Sequence, residues 1–160
     1  MMFSLPRKNR YLLPLLVLAA GGFAASTAVH SWVLHNRELI LSDGVFYSFH
    51  AAVMAVGFPT GWPVKRLTLS RGRHAFWHLI RHGCPRWMSA TIVLLVGYHA
   101  VDFLLFYFGP VETPAPEGHV SPETLRIFSA TWTLGFGCSF AALYSIVAVE
   151  QATLSGQRPS

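Results

Sequence analysis

Four apolar runs constrain this chain more than any other feature: residues 11–34, 44–62, 87–109 and 123–149. Each is close to the ~20 residues that an α-helix needs to cross a hydrocarbon core. Lipid offers no partner for backbone N–H and C=O groups, so a run of this kind spans as a helix that satisfies them internally. Charged residues make up only 12% of the chain, about half the ~25% usual for a soluble domain. With 160 residues there is room for one domain. The expected fold is all-α and integral to a membrane, with four transmembrane helices in two hairpins.

Between the hairpins lies a stretch of opposite character, PTGWPVKRLTLSRGRHAFWHLIRHGCPR, residues 59–86. It holds six of the twelve Lys and Arg residues, three of the eight His, and no Asp or Glu. Short loops rich in Lys and Arg stay on the cytoplasmic side. The 1–10 tail carries three such residues, the 35–43 connection one, the 110–121 connection none and the C-terminal tail one. Residues 1–10, 63–86 and 150–160 are therefore expected in the cytoplasm (N-in/C-in), with 11–149 as the membrane domain and 150–160 as a polar, disordered tail. The first run also has the shape of a secretory signal, with a basic start and small residues around Ala24–Ala28. It continues through Trp32 to Leu34, however, and is read as an uncleaved span.

Local signals refine the elements. Pro14 falls in the first turn of its helix, where proline is tolerated. Pro59, Gly61 and Pro63 in FPTGWP are expected to end the second helix. Residues 74–82 predict a short amphipathic helix closed by Gly83, with His74, His78 and His82 on one face. Ala75, Phe76, Leu79 and Ile80 fall on the other, as in a helix lying in the headgroup plane. Ser121 is placed to cap the fourth helix, followed by Pro122 at its first position and Glu123 in its first turn.

Small residues mark where helices approach. Gly21 and Ala25, and Ala24 and Ala28, are spaced by four on the first helix. Ser129, Thr133, Gly137, Ala141 and Ser145 repeat every four residues on the last, which predicts a close helix contact, internal or between two copies.

Polar groups inside spans are costly, and an Asp at a helix centre costs about 2.5–3.5 kcal/mol on the insertion scale. His30, His50, His99 and Asp102 are the ionisable residues placed so, all in the outer half, with Tyr98 and Tyr107 nearby in sequence. His99 and Asp102 share a face at i, i+3. Such residues form hydrogen bonds between helices, ligate a b-type haem through two imidazoles, or make a proton-relay or substrate site. His74, His78 and His82 offer imidazoles for a metal ion, with a His-rich interfacial face as the alternative.

The clustered basic charge fits membrane orientation and contact with anionic headgroups, and argues against nucleic-acid binding. Cys84 and Cys138 fall at different depths and are read as reduced. No nucleophile constellation, phosphate-binding glycine loop or nucleotide fingerprint is present. The expected role is that of an accessory or structural subunit of a bacterial-type inner membrane, working with a membrane-protein partner or as a homodimer. A haem-b electron carrier and a metal-dependent enzyme or proton-coupled transporter are the alternatives.

Overall fold

A computed structural model of the chain describes residues 10–35, 41–68, 75–109 and 115–154. They form α1 (Leu12–His35), β1 (Leu41–Ser42), α2 (Asp43–Thr68), α3 (Ala75–Gly83), α4 (Arg86–Tyr107), β2 (His119–Val120) and α5 (Pro122–Leu154). Three of the described helices, α1, α4 and α5, are long and apolar enough to cross a membrane. α2 has 26 residues but is interrupted by Ser48, His50, Thr60 and two prolines, and does not reach the same apolarity.

α5 is the centre of the bundle, and α1, α2, α3 and α4 all pack on it. His30 and Phe23 of α1 meet Ser129 and Gly137, so α1 runs antiparallel to α5. Asp102 and Leu95 of α4 meet Arg126 and Gly137, giving the same sense. On α2, Phe46 meets Trp132 and Val53 meets Gly135, so α2 runs parallel to α5. Successive long helices thus alternate in direction. The main partner of α1 is nevertheless α5, not its hairpin neighbour α2.

Burial follows this plan. Trp132, Leu125, Leu143 and Ile146 of α5 are almost wholly enclosed. Val17 and Leu18 of α1, Met54 and Phe58 of α2, and Val93, Leu94 and Leu105 of α4 are exposed. That inversion, with large apolar side chains turned outward on the peripheral helices, is the arrangement of helices facing lipid.

The start of α5 follows its capping residues. The Ser121 hydroxyl accepts the Thr124 N–H at 3.2 Å. Just before it, β2 pairs antiparallel with β1, Leu41 opposite Val120 and Ser42 opposite His119. The Asp43 N–H donates to the Gly118 carbonyl at 3.1 Å. Gly118 has φ 75°, a left-handed backbone that glycine adopts without strain. The segments just before α2 and α5 are thereby joined at one end of the bundle.

Three expectations are corrected. FPTGWP does not stop α2, which runs through Pro59 and Pro63 to Thr68. The two prolines remove two helix N–H groups, while the Thr60 hydroxyl bonds the Val56 carbonyl at 2.7 Å and Val64 packs on the core. Tertiary contact beyond the prolines holds the helix. Residues 150–154, read as disordered tail, are the last turn of α5, preceded by the buried pair Ile146 and Val147. The short helix forms over 75–83, but its apolar side is covered by protein. Ile80 is enclosed and Leu79 nearly so, because α3 lies against α5. His74 lies outside the described residues.

Candidate functional site

Polar side chains from α1, α4 and α5 meet near the end of the bundle that carries the β1–β2 ladder. His30 lies five residues before the end of α1, Asp102 five before the end of α4, and Arg126 four after the start of α5. At ~1.5 Å per residue these groups sit about 6–8 Å inside the helix ends.

His30 is 8% exposed and uses both ring nitrogens. Nδ1 is 2.9 Å from the Ser129 hydroxyl, and Nε2 is 2.6 Å from the Tyr98 hydroxyl. Ser129 in turn donates to the Arg126 carbonyl at 2.9 Å. A hydroxyl has one proton to give, so Ser129 accepts from His30. The imidazole is therefore assigned its proton on Nδ1, and Tyr98 donates to Nε2. The result is a directed chain from the Tyr98 O–H through His30 and Ser129 to the carbonyl of Arg126.

Beside this chain, Asp102 is 5% exposed. Its Oδ1 lies 3.2 Å from Arg126 Nε, an ion pair without the alignment of a hydrogen bond. Asp102 Oδ2 and His99 Nδ1 are buried with no hydrogen-bond partner. Asp102, Arg126 and His99 all lie near enough to act electrostatically on His30.

His50 does not join this group. Its Nδ1 is 3.1 Å from the carbonyl of Phe46 on its own helix. Its ring sits among Phe46, Phe128 and Trp132, with centroids 4.6, 4.9 and 5.2 Å away. Tyr107 is also elsewhere, at 71% exposure. His30 and His50 are not arranged as a bis-imidazole pair: His30 has both nitrogens engaged, and His50 is turned to a different set of neighbours. On α3, His78 and His82 are exposed and stacked with centroids 4.0 Å apart. Among the described residues no three His, Cys, Asp or Glu side chains come together as metal ligands.

The five small residues of α5 are all buried. Ser129 takes His30, Gly137 faces Phe23 and Leu95, and Ser145 lies against Gly83. Cys84, read from sequence as a loop thiol, is half-buried here. Its Sγ is 3.2 Å from the Ala141 carbonyl and 2.9 Å from the Ser145 hydroxyl. Burial pushes this thiol above its ordinary range, and the Ser145 bond opposes the shift.

Arg126 is the functional residue that sequence reasoning missed. It is the single Lys or Arg between positions 87 and 149. It also stands in the first turns of α5, where the helix dipole disfavours a cation. Both signals call for a carboxylate partner, and Asp102 is the acidic residue of the preceding span. Ser129 was legible as a packing residue only. No protein-family model, curated protein or solved structure matches the chain.

Proposed function

We propose that this is a four-span protein of a bacterial-type inner membrane, N-in and C-in, acting as an accessory subunit through helix packing. The carrying observation is that two of the costly polar groups of the spans, His30 and Asp102, meet partners on other helices. His30 is bonded on both sides by Ser129 and Tyr98, and Asp102 is paired with Arg126. A cluster so engaged ties α1, α4 and α5 together. The exposed apolar faces of α1, α2 and α4 are left for lipid or for a membrane-protein partner, a second copy included. α2 is the fourth span in this reading, supported by its length, by its direction alternating with its neighbours and by exposed Met54, Phe58 and Trp62. The ladder joining Leu41–Ser42 to His119–Val120 supports placing both connections on one face. The basic residues at the opposite end suit anionic headgroups.

Two measurements test this. Alkaline phosphatase fused near residue 38 is expected to be active, and fused near residue 72 inactive; the reverse pattern overturns the orientation. The purified protein is expected to show no Soret band, and a band that shifts on dithionite reduction overturns the accessory reading in favour of a haem carrier.

A further inference from the structure

The hydrogen-bond chain through His30 is satisfied in one direction only, and one of its neighbours is left over. Tyr98 has a single hydroxyl proton and gives it to His30 Nε2. Asp102 follows Tyr98 by one turn on α4, on the same face. Its Oδ2 is an acceptor with no partner, although the residue is 95% buried by the same measure that makes it 5% exposed. A buried acceptor of this kind costs free energy unless some state of the protein uses it.

We infer that His30, Tyr98 and Asp102 form a proton-binding site with two arrangements. In the first, His30 is neutral, Tyr98 donates to Nε2 and Asp102 Oδ2 is bare. In the second, a proton from the outer side binds His30 Nε2. The imidazolium then donates to Ser129 from Nδ1, as before, and to the Tyr98 oxygen from Nε2. The Tyr98 O–H, displaced from nitrogen, turns to Asp102 Oδ2. One proton is taken up, no covalent bond to carbon changes, and the new positive charge gains a carboxylate partner through one hydroxyl. The second arrangement calls on no group beyond Ser129, His30, Tyr98 and Asp102.

Among the described residues, the charged and titratable groups facing His30 are Tyr98, His99 and Asp102 from α4 and Arg126 from α5. α1 adds none of its own to the cluster, and α2 presents His50 to Phe128 and Trp132 instead. Among these groups Asp102 is the one anion, so it is the group to vary. The inference rests on the proposed orientation only in naming the outer side as the source of the proton.

The test is NMR of full-length protein in lipid nanodiscs, with ¹⁵N-histidine and ¹³Cζ-tyrosine labels, from about pH 8 to about pH 4.5, spanning the ordinary His range. His30 is expected to show the Nδ1–H tautomer at the alkaline end and to gain a second proton on acidification. The Tyr98 ¹³Cζ signal, assigned by its loss in Tyr98→Phe, is expected to move in the same step. Asp102→Asn is expected to weaken proton uptake at His30 by about tenfold or more, while leaving the alkaline tautomer unchanged. An Nε2–H tautomer at the alkaline end, or a Tyr98 signal that ignores the His30 titration, overturns the inference. Adding the proton from only one side of sealed proteoliposomes distinguishes the orientation: a site that titrates from the lumen carrying the basic loop overturns the topology but leaves the proton site standing.

Discussion

Gly83, the last residue of α3, lies against Ser145 so closely that a methyl group in place of its hydrogen would run into the Ser145 backbone. Gly83→Ala is therefore expected to lever α3 off α5 and to cost about 1–3 kcal/mol, the usual range for overpacking. Thermal unfolding in mild detergent measures it, and an unchanged midpoint would show that α3 docks loosely.

The same contact controls Cys84. Burial raises its thiol and the thiolate is the reactive form, so at a given pH less of it can react. With Cys138→Ala as background, alkylation by a maleimide at about pH 7.5 is expected to be slower than for a free cysteine, and to level off at a higher pH than the free thiol does. Gly83→Ala should speed the reaction by uncovering the sulfur. A rate already level at about pH 8 would contradict the burial.

Gly21 and Gly22 are neighbours on α1 with opposite surroundings. A Cβ on Gly21 meets nothing within 4 Å, whereas one on Gly22 enters the ring of Phe136, itself 2% exposed. Gly21→Ala is expected to stabilise by about 0.5–1 kcal/mol through helix propensity. Gly22→Ala is expected to destabilise by about 1–3 kcal/mol. Parallel melting curves of the two variants decide it, and shifts of the same sign would mean that α1 is rotated about its axis.

Asp102 and Arg126 are unequal partners, their side chains 7% and 34% exposed. Removing the cation strands a buried carboxylate, so Arg126→Ala is expected to cost about 3–5 kcal/mol. Asp102→Ala leaves a guanidinium that still reaches solvent or headgroups and should cost less. The double variant is expected to recover part of the Arg126→Ala loss. Additive losses in that cycle would remove the pair from the account.

Much of this arrangement was readable from spacing. α1 and α4 begin and end within two residues of the apolar runs 11–34 and 87–109, and Ser121 caps α5 as its position predicted. Where reading failed, the cause was tertiary. Pro59 and Pro63 are helix breakers judged alone, yet Val64 beyond them packs on the core and keeps α2 going. The last turn of α5 is polar in composition, yet it extends a segment that α1 already encloses through Leu12, Ile146 and Val147. For the polar cluster, sequence could place His30, His50, His99 and Asp102 in the outer half of the bilayer, each at its own depth. Depth carries no azimuth, so it could not separate His50, which turns to Trp132, from His30, which turns to Ser129.

The central place of α5 has a consequence for biogenesis. Chains are made from the N-terminus, so α5, on which the other helices pack, leaves the ribosome after all of them. Until then α1, α2 and α4 have few contacts with one another and wait as separate segments, each without its main partner. Assembly then becomes a late event rather than a stepwise accretion. A ribosome stalled before residue 122 would hold separate helices and no bundle.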